Sequence, residues 1–149
     1  MKTHRLLITV IQHTKNIHDL FASLGEKKKK ITSRLAELSR APNSPVRAAA
    51  IEALGKLGAK EQEPALVKLL GDSEEEHVRV AVIKALKALD AREQAPALAI
   101  LLSKPVSSET RALVARVLSE LGAKEQAPAL DKLLEDRDES VRAAAAGAL

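Results

Sequence analysis

The chain of 149 residues contains no cysteine, tryptophan or tyrosine, a single phenylalanine (Phe21) and a single methionine. Without cysteine there is no disulfide framework, thiolate nucleophile or Cys-based zinc site. Without aromatics there is little surface on which single-stranded bases could stack. No apolar run approaches the ~20 residues of a membrane span. Leu6–Ile11 superficially resembles the apolar part of a signal peptide, but Gln12 interrupts it and no small-residue cleavage site follows. A cytoplasmic protein with no membrane partner is therefore expected. What remains is 46% hydrophobic and 30% charged, the balance of a folded domain whose core is built from aliphatic residues.

The net charge of +4 is unevenly placed. Residues 1–40 hold nine Lys/Arg against three Asp/Glu, or +6, and residues 41–149 hold fifteen against seventeen, or −2. The run Lys27–Lys28–Lys29–Lys30 dominates the basic end.

Self-similarity carries the fold. Gly58–Ala59–Lys60–Glu61–Gln62–Glu63–Pro64–Ala65–Leu66 recurs at Asp90–Leu98 and again at Gly122–Leu130, each time after 32 residues. Arg47, Arg79 and Arg111 keep the same step, and Arg142 follows after 31. Within each unit the apolar period is helical: Val46, Ala50, Leu54 and Leu57 form one stripe, repeated by Val78, Val82, Leu86 and Leu89 and by Thr110, Val114, Val117–Leu118 and Leu121. This first helix should close on a left-handed residue at Gly58, Asp90 or Gly122. A second helix, from about Gln62 to Leu70 in the first unit, should begin with proline in its first turn (Pro64, Pro96, Pro128), where the missing N–H has no intrahelical partner anyway. Ser44 before Pro45 reads as an N-cap, and Ser73 with Glu76 and Asp136 with Glu139 have capping-box spacing. Helices this short are stable only when stacked. The expectation is an all-α solenoid of antiparallel helix pairs over residues 1–149. Its repeats are 41–72, 73–104 and 105–135, with an incomplete repeat at 136–149. Residues 1–40 read as a degenerate capping unit: a first helix near 3–24 ending at Gly25, the lysine run as an inter-helix loop, and a second helix through Ile31, Leu35 and Leu38.

The 32-residue period, Val46–Gly58 as Val-Arg-Ala-Ala-Ala-x-x-Ala-Leu-Gly-x-Leu-Gly, and Pro64–Leu70 as Pro-Ala-Leu-x-x-Leu-Leu resemble the short HEAT-like repeats of the phycobilisome-lyase type. Val78–Leu89 and Val141–Leu149 match the same first-helix pattern. The resemblance implies a ladder in which the arginine opening each first helix meets an aspartate of an adjacent repeat. Arg47, Arg79, Arg111 and Arg142 match the arginines, with Asp72 and Asp136 as acidic counterparts. Lys104 stands at the equivalent acidic position between them, so the ladder should break there. A residue repeated in every unit is explained by the repeat, so structural pairing is preferred to ligand binding for these arginines.

No catalytic constellation is legible. His13 and His18 are five apart, off the three-or-four spacing of ligands on one helix face, and His4 and His77 stand alone. The resemblance includes deoxyhypusine hydroxylases, whose iron is held by His-Glu dipeptides; this chain has none. No metal site or cofactor is expected. Glu74–Glu75–Glu76 reads as a solvated helix start favoured by the helix dipole.

The functional expectation is a non-catalytic scaffold that binds another protein on a concave face lined by second helices, at Val67, Lys68, Ala99, Ile100, Asp131 and Lys132. Ile100 is the salient position, an aliphatic where both neighbours have lysine. The resemblance also implies a bilin lyase-like subunit as the alternative. Lys27, Lys28, Lys29 and Lys30 are candidate contacts for an acidic partner or phosphates, with nucleic acid disfavoured because no second basic patch extends them. The incomplete repeat, with Val141, Ala145, Ala148 and Leu149 short of cover, suggests either a fragment of a longer repeat protein or self-association through that end.

Overall fold

A computed structural model describes residues 2–72 and 75–149, apart from the side chains of 2–4 and 72. Among the described residues there are eight α-helices and no strand: α1 (Lys2–Leu38), α2 (Ser44–Lys56), α3 (Glu63–Asp72), α4 (Glu76–Ala88), α5 (Ala95–Leu101), α6 (Ser108–Glu120), α7 (Ala127–Leu133) and α8 (Glu139–Ala148). The chain divides into two compact units, residues 1–34 and 35–149, and the division falls within α1.

In the second unit, α2, α4, α6 and α8 are the first helices of successive repeats, and α3, α5 and α7 are the second helices. Each first helix ends in the same way. The N–H groups of Ala59, Ala91 and Ala123 donate to the carbonyls of Leu54, Leu86 and Leu118 at 3.0–3.1 Å, across residues with φ of +67° (Gly58), +52° (Asp90) and +65° (Gly122). This is the Schellman closure, and it needs a left-handed residue. A 3-10 turn follows (Lys60–Gln62, Arg92–Gln94, Lys124–Gln126) before the proline-initiated second helix.

Burial is deepest on α4, where Val78, Val82, Ile83 and Leu86 have no exposed surface, with Leu98, Val114 and Leu118 equally enclosed. Burying each such leucine contributes about 1.5–3 kcal/mol, so stacking rather than helix propensity holds the array together. The buried face of α2 is Ala50, Ile51, Leu54 and Gly55; Val46 and Leu57 of the expected stripe remain exposed, and Ile51 takes their place. Gly55 lets α2 approach α4 closely, since a Cβ there would lie 2.8 Å from Ala85 Cα. Lys87 holds the corresponding place on α4, and α4 meets α6 less extensively than α2 meets α4 or α6 meets α8.

Two cap assignments are corrected, and a third falls on residues outside the description. Asn43, not Ser44, caps α2 by accepting from the Val46 N–H at 3.1 Å, with Pro45 in the first turn. Asp138, not Asp136, caps α8, accepting from the Ser140 N–H at 2.8 Å, because Asp136 is engaged elsewhere. Ser73 and Glu74 lie outside the described residues, and Glu75 stands at the N-cap of α4, its side chain turned to Arg47.

The largest departure is in residues 1–34. The lysine run is not an inter-helix loop: α1 continues through Gly25 and Lys27–Lys30 without a break. Lysine and glutamate are good helix formers, one glycine costs about 1 kcal/mol, and a Cβ at Gly25 would meet nothing within 4 Å. The stripe of Val10, Ile17, Phe21 and Leu24 is consequently open to solvent.

Candidate functional site

The second helices place a shallow hollow of about 160 Å³ between α3 and α5, lined by Val67, Leu70, Gly71, Ala97, Ile100, Leu101 and Lys104. Leu70 and Leu101 form its buried floor, Val67 and Ala97 are half-buried, and Ile100 stands 62% exposed on the wall. Position 100 faces outward because its neighbours Leu98 and Leu101 are committed to the core. Of the residues singled out in the sequence, Val67 and Ile100 meet here. Ala99 packs half-buried against the core instead, Lys68 is exposed on α3 outside the hollow, and Asp131 and Lys132 are exposed on α7. Sequence reasoning did not place Ala97 and Lys104 here: Ala97 lies on α5 one turn before Ile100, but Lys104 follows the end of the helix and reaches the hollow only through packing.

The arginine positions form the second constellation. Arg111 Nε and Nη2 donate to both Asp136 oxygens at 2.7 and 3.0 Å, and Arg111 Nη1 donates to the Val106 carbonyl at 2.7 Å. The Arg111 and Asp136 side chains are only 15% and 11% exposed. Arg111, and with it the Asp138 N–H, holds the Asp136 carboxyl below the ordinary carboxylate range, and Asp136 raises the Arg111 pKa. Arg47 pairs with Glu75 at 2.9 Å and donates to the carbonyls of Ala41 and Pro42; the Asp72 side chain lies outside the described residues. Arg142 donates to the carbonyls of Asp136 and Arg137.

Arg79, at the Lys104 register, meets Glu76 at 3.4 Å, and among the described residues its buried Nε has no hydrogen-bond partner. Glu76 in turn accepts from the hydroxyls of Ser107 and buried Thr110. Burial pushes its carboxyl up, but those bonds together with Arg79 outweigh it and leave the group lowered. The polar Thr110 on an otherwise apolar stripe thus ties α6 to α4. Lys27, Lys28, Lys29 and Lys30 are exposed on α1.

The arginine bonds brace the ends of the helices. Among the described residues no group of three His, Asp or Glu could hold a metal, and no helix is long and apolar enough to cross a membrane. Stacked helix pairs with a repeating arginine at each junction define an α-solenoid repeat protein. The family model of HEAT repeats matches residues 31–119, and the chain belongs to that family. No curated protein matches it.

Proposed function

We propose that the protein is a non-catalytic cytoplasmic scaffold that holds another protein on the second-helix face, centred on the hollow between α3 and α5. One observation supports this above others: Ile100 is a large aliphatic left 62% exposed beside an apolar hollow, where the equivalent residues of the flanking repeats are Lys68 and Lys132. An exposed aliphatic next to a preformed hollow is the usual form of an interface anchor, and solenoids work through extended faces of this kind. The partner contact would extend along Val67 and Lys68 on α3, Ala99 and Ile100 on α5, and Asp131 and Lys132 on α7. Arg47, Arg79, Arg111 and Arg142, with Asp72 and Asp136, then serve the stack and not the partner.

Ile100→Glu should leave helicity and thermal stability unchanged and remove specific partners in affinity purification from the native cell. An identical set of partners for wild type and variant would refute the assignment. The similarity of the 32-residue units to phycobilisome-lyase-type repeats supports a rival reading as a bilin lyase-like subunit; a visible absorption shift on mixing with bilin would favour that reading.

A further inference from the structure

The geometry points to an anionic lipid surface as the binding partner of α1, with the apolar stripe of residues 6–24 seated in the acyl boundary and Lys27–Lys30 on headgroup phosphates. Leu6, Val10, Ile17, Leu20, Phe21 and Leu24 fall on one side of the helix at about 100° per residue, and they are 51–68% exposed. The stripe is about 27 Å long at ~1.5 Å per residue. Toward its start, Leu7, Ile8 and Ile11 carry apolar surface round to the other sides, also exposed. A groove in a folded partner covers one side of a helix, whereas an acyl boundary can take up a wider apolar girth.

Three polar side chains on or beside the stripe are bonded back to their own helix. Thr9 and Thr14 hydroxyls donate to the carbonyls of Arg5 and Val10 at 2.9 Å, and His13 Nδ1 lies 2.7 Å from the Thr9 carbonyl oxygen. Side chains bonded back to their own helix enter a region without water at low cost. Beyond the stripe, four consecutive lysines circle the helix, so some face the surface at any roll angle. Clustered lysines beside an amphipathic apolar face are the composition that binds acidic lipid.

Charge opposes the obvious alternative, a second copy of α1. Residues 1–34 hold eight Lys/Arg against two Asp/Glu, a charge of +6. Parallel pairing would set the two lysine runs side by side. Antiparallel pairing that overlaps the stripes would set each run near Lys2 and Arg5 of the other copy. Like charges conflict in both arrangements, and an anionic surface resolves them.

The test is cosedimentation of the full chain with phosphatidylcholine vesicles, with and without phosphatidylserine, at low and high salt. Binding should require phosphatidylserine and fall at high salt. Phe21→Glu, checked for unchanged helicity by circular dichroism, should weaken it about tenfold or more. Joint replacement of Lys27–Lys30 by glutamine, which leaves the stripe intact, should weaken it by about a hundredfold or more. Absence of binding to phosphatidylserine vesicles at low salt overturns the proposal, as does binding that both variants leave unchanged. A concentration-dependent dimer abolished by Phe21→Glu, without vesicle binding, overturns it in favour of self-pairing.

Discussion

Lys104→Asp should stabilise the protein, because it supplies the carboxylate that the register of the stack calls for. Arg111 meets Asp136, 25 residues on, and the same step from Arg79 lands on Lys104. The backbone is already in place: the Lys104 N–H donates to the Leu101 carbonyl at 3.1 Å, as the Asp136 N–H does to that of Leu133. An aspartate at 104 therefore starts from the same helix-end geometry as Asp136. It would satisfy the buried Arg79 Nε, which has no partner among the described residues. Hydrogen bonds to charged groups are worth about 1.5–3 kcal/mol, and an unsatisfied buried donor costs about 1–3 kcal/mol. Part of the gain is offset by desolvating a new carboxylate, which leaves a net gain of about 1–2 kcal/mol. That corresponds to a rise in melting midpoint of roughly 3–10 °C for a domain of this size. The assay is thermal and urea unfolding followed by circular dichroism, with Lys104→Ala as the control for loss of the lysine. Arg79→Met in both backgrounds closes a double-mutant cycle. Lys104→Asp no more stable than Lys104→Ala, or a cycle with no coupling to Arg79, would refute the reasoning.

Asp136→Asn should cost about 1.5–3 kcal/mol at neutral pH, since it breaks the bidentate pair with Arg111. Because Asp136 is lowered in the folded state, the unfolded chain takes up the proton first; the stabilisation is present above the ordinary aspartate value of about 3.9 and is lost as pH falls below it. The urea midpoint of the wild type should therefore fall in acid, and that of Asp136→Asn should fall less steeply. A parallel acid dependence would contradict the assignment. Asp90→Gly should raise stability by about 0.5–1 kcal/mol and Gly122→Ala should lower it by about 1–2 kcal/mol, since both positions have positive φ. Thermal melts that shift both variants in the same direction would contradict this account.

The solenoid was legible because its evidence is repeated. A left-handed residue before each 3-10 turn and a proline in the first turn of each second helix recur at one step, and each recurrence checks the others. The exposure of Ile100 was legible for the same reason, as a departure from its own repeats. Residues 1–40 have no such copies. Periodicity showed which side of α1 is apolar but could not show whether a second helix folds back to cover it, and Lys27–Lys30 suit a helix as well as a loop. Caps were misplaced by one or two residues, at Asn43 and Asp138, because several adjacent residues can accept the same bond and Asp136 was drawn to Arg111. Lys104 was read only for what it fails to do in the ladder, and its place on the wall of the hollow with Ala97 and Ile100 emerged only from packing.

The junction between α4 and α6 differs from its neighbours in two ways: Lys87 holds the place of Gly55, and Lys104 stands at the step from Arg79 where Arg111 meets Asp136. In a one-dimensional stack each interface contributes separately to cooperativity, so the poorest one sets where the array divides into independently opening blocks. That reasoning predicts a division between α2–α5 and α6–α8, with the Glu76 bonds to Ser107 and Thr110 and the Lys87–Glu120 ion pair among the ties across it. The hollow at Ile100 lies wholly within the first block. A partner seated there would slow amide exchange in α2–α5 while α6–α8 exchange almost as before. The two halves of the array would then report binding differently, although they are built from the same repeat.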